Sequence, residues 1–124
     1  MTLEKLTDCE QLVMKTVWDA AEELSLTEIM KRVNDRYHKE WKPQTVSTFL
    51  ARLVSKGYLQ HYRQGRTFFY QILVPLEEYK AQLTNDYVNF WHHGNADEFL
   101  RTLLHERPLR TEEIELIRKL IGHR

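Results

Sequence analysis

Disulfides, thiolate metal clusters and membrane-spanning helices are all excluded by what this 124-residue sequence lacks. Cys9 is its only cysteine, so it can form neither an internal disulfide nor a thiolate cluster. Cys9 is expected as a reduced thiol packed on the apolar face of the first helix. No apolar run approaches the roughly 20 residues that a transmembrane helix needs. Met1-Thr2-Leu3-Glu4 has neither the basic n-region nor the apolar core of a signal peptide. A cytoplasmic protein without membrane insertion is the expectation. With four glycines and three prolines there is no Gly-rich phosphate loop and no low-complexity segment. Paired zinc-ligand motifs, a nucleophile elbow and carboxylate pairs in an apolar cleft pattern are also missing. No catalytic residue, metal or cofactor is therefore expected, and the chain is read as a non-enzyme. The six histidines, His38, His61, His92, His93, His105 and His123, are read as surface or interface residues. Adjacent His92 and His93 face different ways on a helix and make a poor chelate.

The most informative absence is local. Lys+Arg and Asp+Glu are equal at 18 each, yet no acid lies between Glu40 and Glu77. That stretch carries Lys42, Arg52, Lys56, Arg63 and Arg66, plus His61. A positive surface of this kind suits a polyanion, because phosphate contacts supply most of the non-specific affinity for nucleic acid. A solvated face whose acids happen to lie elsewhere is the plain alternative.

What is present reads as short amphipathic helices followed by a hairpin. Thr7 or Asp8 can cap a first helix, with Glu10 or Gln11 placed for the return bond. Its apolar stripe is Cys9, Leu12, Val13, Thr16, Val17, Ala20 and Leu24, with Trp18 at the edge. Ser25-Leu26-Thr27-Glu28 is a capping box that starts a second helix after a tight link, with Ile29, Met30, Val33 and Tyr37 apolar. Pro43 suits the first position of a third helix, which buries Val46, Phe49, Leu50, Leu53 and Val54 and stops at Lys56-Gly57. Leu59 to Arg63 and Arg66 to Val74 read as strands turning at Gln64-Gly65. With a short strand possible near Ser25-Leu26, the order is that of a winged helix-turn-helix.

The outer face of the third helix is small and polar. Helix-turn-helix proteins lay such a helix in the major groove. Gln44, Thr45, Ser47, Thr48 and Arg52 are therefore candidates for base reading. Threonine can hydrogen-bond and touch a thymine methyl, glutamine suits adenine, and arginine suits guanine or a phosphate. Lys42, Lys56, Arg63, Gln64 and Arg66 are candidates for phosphate contact. The alternative for this face is the solvent side of an amphipathic helix.

Beyond Pro75, Leu76 to Trp91, Ala96 to His105 and a segment opening at Thr111 read as three further helices. They are too short and too greasy to stand alone in water. A symmetric homodimer is the economical solution. Tyr79, Leu83, Tyr87, Phe90, Phe99, Leu100, Leu103, Leu104, Ile114 and Ile117 are the expected interface. The fold class is thus mostly α with a small β-hairpin wing. Residues 1–74 form the expected winged-helix DNA-binding domain and 75–124 a helical dimerisation domain. A cut after Val74 is expected to leave a folded monomer.

Specific residues resemble a known family. Leu6-Thr7-Asp8-Cys9-Glu10-Gln11-Leu12-Val13-Met14 followed by Val17-Trp18 is similar to the opening of the penicillinase-repressor family (BlaI/MecI/CopY type). Trp41 to Thr48 and Leu50 to Gly57 resemble its recognition helix, Gly65-Arg66 with Phe69-Tyr70 its wing, and Glu112 to Glu115 with Leu120-Ile121 its last helix. The resemblance implies a homodimeric winged-helix repressor on double-stranded inverted-repeat operator DNA near β-lactamase, copper-transport or similar operons. It also implies a membrane sensor-protease as a partner in the β-lactam branch. The copper branch carries Cys-x-Cys pairs near the C-terminus, and Leu120-Ile121-Gly122-His123-Arg124 has none. The β-lactam branch is cut at an Asn-Phe bond, for which this chain aligns Thr102-Leu103. Its own Asn89-Phe90 lies about a dozen residues earlier, so proteolytic induction is not carried over. Gln44 and Ser47 replace residues often basic in the relatives. The expected function is a transcriptional repressor of a β-lactamase or sensor-protease operon. The alternatives are a family member answering to a different signal, or a winged-helix module for protein–protein contact.

Overall fold

Capping chemistry sets the first two helices of the computed structural model, which describes residues 2–122. His123 lies outside the described residues. Thr7 caps α1 (Asp8–Asp19) in a full capping box with Glu10. Ser25 does the same for α2 (Leu26–Tyr37) with Glu28, and each reciprocal pair satisfies two otherwise orphaned N–H groups. Pro43 opens α3 (Pro43–Ser55), and Gly57 at φ 82 lets the chain leave it. A three-stranded antiparallel sheet follows, of order β1 (Leu24–Ser25), β3 (Thr67–Ile72), β2 (Leu59–Gln64). Then come α4 (Leu76–Trp91), α5 (Ala96–Glu106) and α6 (Thr111–Gly122).

The hairpin turns at Gly65-Arg66, one residue later than Gln64-Gly65, because Gln64 pairs with Thr67. Gly65 takes φ 68 at the first loop position, where a tight hairpin turn needs it. The short strand is Leu24–Ser25 rather than Ser25-Leu26, since Ser25 is already the cap of α2.

The described chain divides into two compact units, Met1–Gln82 and Leu83–Arg124, and α4 crosses the division. The first unit holds the core. Val13, Met14, Val17, Leu24, Ile29, Val33, Val46, Leu50, Leu53, Tyr58 and Leu59 are buried there. The stripe of α1 differs from the expected one. Glu10, Val13, Met14 and Val17 point inward, whereas Cys9 and Leu12 are only half-buried. Ala20 and Leu24 lie beyond the helix end, as its cap and in β1. The rotation is possible because Glu10 has partners inside (below), so a carboxylate can occupy a core position.

Tyr79, expected at a dimer interface, is instead a core residue of the first unit, only 6% exposed. Its ring packs 5.2 Å from Trp18 and 5.8 Å from Tyr58, centroid to centroid. The apolar stripe of α4 therefore serves two purposes: Tyr79 completes this core, and Leu83, Tyr87 and Phe90 belong to the second unit.

In the second unit the one buried residue among the described residues is His92, its ring 5.6 Å from those of Tyr87 and Phe99. Its burial corrects the surface or interface reading of that histidine. Leu83, Tyr87, Phe90, Leu100, Leu104, Ile114 and Ile117 are exposed, Phe90 by 75%. Phe99 and Leu103 are half-buried. Among the described residues no helix is long and apolar enough to cross a membrane.

Candidate nucleic-acid interface

The entry into α3 is fixed by two devices. His38 ends α2 in the left-handed conformation at φ 55, and its N–H bonds back to the Asn34 carbonyl. The Asn34 side chain then clamps the linker. Its Nδ2 donates to the Trp41 carbonyl at 3.1 Å, and its Oδ1 accepts from the Trp41 N–H at 3.0 Å. Trp41 in turn lies 4.9 Å from Phe49 on α3. Val46, Leu50 and Leu53 anchor the other side in the core. The helix axis is thereby set from both ends.

With that face buried, Gln44, Thr48 and Arg52 are exposed, while Thr45 and Ser47 are half-buried at the margin. The five candidates for base reading thus share one side of α3, with the two half-buried ones offering less surface. The Thr48 hydroxyl donates to the Gln44 carbonyl at 3.0 Å. Its oxygen can still accept, and its methyl remains. Among the helices of the described residues, α3 alone has no acid in its first turn. Its positive dipole end is left uncompensated, a favourable place for a phosphate.

Of the candidate phosphate contacts, Lys42 lies at the N-cap of α3, and Arg63, Gln64 and Arg66 lie at the hairpin end, all exposed. Lys42, Arg52, Arg63 and Arg66 make no ion pair among the described residues. Four positive charges thus keep their charge free for an external anion.

Lys56 is the exception, because its ammonium already has a carboxylate partner. Its Nζ sits 2.6 Å from Glu10 Oε1 and 2.8 Å from the Lys5 carbonyl, with the side chain 22% exposed. Glu10 itself is 1% exposed. Burial pushes its carboxyl up, but the Lys56 ammonium and the Thr7 backbone N–H and hydroxyl outweigh that and hold it below 4.5. The ammonium is occupied with keeping a buried carboxylate ionised. Beside it the Tyr58 hydroxyl donates to the Glu4 carbonyl, tying the N-terminal segment to the same place. Burial pushes that phenol up to about 12.

The hairpin is braced partway along its length. The Tyr62 hydroxyl donates to Glu23 Oε1 at 2.6 Å, and the Tyr62 ring stacks on Phe69 at 5.7 Å. On the other strand face Arg63 lies over Phe68, with His61 against the same ring. Sequence reasoning missed Asn34, the Glu10–Lys56 pair and Phe68. Asn34 and Glu10 read as ordinary helix-surface and capping residues, and their partners are seven and 46 positions away. A period-two reading of the strands does place Phe68 beside Arg63 once the turn is known. Among the described residues no group of three or more His, Cys, Asp or Glu could hold a metal ion.

The sequence matches the profile of a family described as "Penicillinase repressor" over residues 6–123. A penicillinase repressor of Bacillus licheniformis is 28% identical over 123 residues, which is 98% of this chain and 94% of that protein. The methicillin resistance regulatory protein MecI of Staphylococcus aureus is 23% identical over 95% of this chain and 94% of its own length. The solution structure of the DNA binding domain of the repressor BlaI superposes with a TM-score of 0.53 at 31% identity, over 64% of this chain and 94% of that one. The monomeric form of Bacillus licheniformis BlaI, solved in complex with the blaP half-operator, gives 0.51 at 31% identity over 63% and 92%.

Proposed function

The chain belongs to the penicillinase repressor family, and from that membership we propose that it is a DNA-binding transcriptional repressor acting as a homodimer on an inverted-repeat operator. The single observation that carries this reading is the outer side of α3 with the hairpin end. Gln44, Thr48 and Arg52 are exposed, as are Lys42, Arg63 and Arg66, with no acid in sequence from Trp41 to Leu76. A face that met another protein would usually mix signs, whereas a single sign suits a phosphate backbone. The half-operator complex of the BlaI relative, which shares this fold, supports the same use of the surface.

In this reading Gln44, Thr45, Ser47, Thr48 and Arg52 read base edges. Lys42, Arg63, Gln64 and Arg66 hold phosphates. Binding, not catalysis, is the whole of the role, and a repressor of this kind works in the cytoplasm. Residues 1–74 supply the DNA-binding domain, to which Tyr79 is added, and the rest dimerises. The reason for a dimer is the apolar surface of the second unit. Leu83, Tyr87, Phe90, Leu100, Leu104, Ile114 and Ile117 are exposed together with Trp91, Leu120 and Ile121. So much exposed apolar surface marks a partner site, and a second copy is the partner a repressor needs for two half-sites. The target we assign is an operon of β-lactamase or sensor-protease type; the relatives' names, which refer to penicillinase and methicillin resistance, support the first.

Footprinting across the protein's own promoter tests the proposal. A protected region with two-fold symmetry, its half-sites about one or a whole number of helical turns apart, is expected. Protection without a dyad, or no protection at protein concentrations that saturate random duplex, overturns it.

A further inference from the structure

Arg63 and Phe68 are direct cross-strand partners at the far end of the hairpin. The Arg63 guanidinium carbon lies 5.6 Å from the centroid of the Phe68 ring. Phe68 is 42% exposed, a large apolar side chain next to the polar hairpin end of Arg63, Gln64, Arg66 and Thr67. Its other ring neighbour is His61, edge-on at 5.4 Å. Side chains two apart on a strand share a face, so His61 and Arg63 flank one ring. Arg63 has no carboxylate partner among the described residues. Among the described residues the Phe68 ring is the partner of its guanidinium.

The two ways of holding an arginine have different consequences. An ion pair spends the N–H donors and neutralises the charge. An aromatic face attracts the cation through the ring quadrupole and leaves all five donors available. Arginine also has much rotamer freedom to lose on binding. A ring that restricts the side chain beforehand reduces that loss while keeping its phosphate-binding capacity intact. Arg66, at the second turn position, has no such ring among the described residues.

We infer that Phe68 is a positioning residue for DNA binding, holding the Arg63 guanidinium over its face so that the donors meet a backbone phosphate. The inference rests on the DNA-binding reading above and adds to it a residue that carries no charge and needs no contact with DNA.

The test uses the full chain and a random-sequence duplex at low salt. Affinities are measured for the wild type, Phe68→Leu, Phe68→Tyr, Arg63→Ala and the Arg63→Ala/Phe68→Leu double variant, with circular dichroism and thermal midpoints for each. Phe68→Leu is expected to weaken binding about two- to fivefold per bound protomer, the range of an exposed cation–π contact. Phe68→Tyr keeps the ring and should bind as the wild type. The double variant should bind no more weakly than Arg63→Ala alone. Binding of Phe68→Leu at wild-type affinity overturns the inference. So does an equal loss from Phe68→Leu in both backgrounds, because the ring would then touch the DNA itself or merely support the wing. A measurement on the unbound wild type guards against misfolded variants. The Arg63 side-chain protons should be shifted upfield in NMR by the ring current of Phe68, and shifts at random-coil positions overturn the inference. A wild type that fails to bind the duplex overturns the DNA-binding reading and this inference together. Sensitivity to Arg63→Ala without sensitivity at Phe68 overturns this inference alone.

Discussion

Replacing Lys56 by methionine separates two roles that one lysine could play beside a recognition helix. The substitution keeps the stem that packs on the first unit and removes the ammonium that holds Glu10. Breaking a buried ion pair from one side costs about 3–5 kcal/mol, because the other charge is left without compensation. Two features reduce that here. The Lys56 side chain is 22% exposed, and Glu10 keeps the Thr7 N–H bond at 2.9 Å. We therefore expect a loss of about 2–3 kcal/mol near neutral pH. The loss should depend on pH with a definite sign. In the wild type the Glu10 carboxyl is held below its ordinary 4.5, so its contribution is fully present above that value and disappears as pH falls through the depressed one. In the variant the lowering influence of Lys56 is gone and burial remains. The Thr7 hydrogen bonds still act on it, but the folded variant binds the Glu10 proton more readily than the folded wild type. The deficit should therefore widen as pH rises through the carboxylate range. Urea titrations at one fixed protein concentration, so that dimerisation does not shift apparent stability, provide the measurement. The double variant Glu10→Met/Lys56→Met should recover most of the loss, since both charges then leave together. A deficit under about 1 kcal/mol, or one that does not change with pH, would refute the buried-pair account. DNA binding supplies the second arm. If Lys56 serves Glu10, Lys56→Met leaves the slope of log affinity against log salt unchanged. A slope lower by about one unit would return Lys56 to the phosphate contacts.

Three further outcomes are expected. Thr48→Ala and Arg52→Ala should each cost about 1–3 kcal/mol of specific binding per well-made base contact; operator affinities equal to wild type for both would move the reading face elsewhere. Asn34→Ala should cost about 1–3 kcal/mol of stability, because it leaves the Trp41 N–H and carbonyl without partners, and should weaken operator binding beyond that loss by loosening the entry to α3; a variant with unchanged melting and footprint would remove the clamp from the account. A chain ending at Gln82 should fold as a monomer, whereas one ending at Val74 should be less stable by about 3–5 kcal/mol for want of the Tyr79 ring; equal denaturation midpoints for the two, or a dimer in the sedimentation of either, would contradict the placement of Tyr79 and of the interface.

Local rules were enough for most of the elements. The capping boxes at Thr7 and Ser25, Pro43 at the start of α3 and Gly57 after its end act within a turn of the backbone, so they can be read without knowing the fold. The range of α4, Leu76–Trp91, was legible for the same reason. So was the outer side of α3, because a period of 3.6 residues separates Gln44, Thr48 and Arg52 from Val46, Leu50 and Leu53. The acid-free run from Trp41 to Leu76 is a property of the sequence alone, and with the polar face of the third helix it suggested DNA. Tertiary structure decided what each side chain faces when its partner is distant. Lys56 and Glu10 are 46 positions apart, and only the packing of α1 against α3 turns an apparent phosphate ligand into the counter-ion of a buried carboxylate. Tyr79 has the same spacing as Leu83 and Tyr87, and only the position of Trp18 and Tyr58 makes it core. Arg63 meets Phe68 because the turn falls at Gly65-Arg66, and a register one residue away would have placed the two side chains on opposite faces of the hairpin. Periodicity tells which residues share a face, but which face is covered, and by what, depends on contacts between segments far apart in the chain.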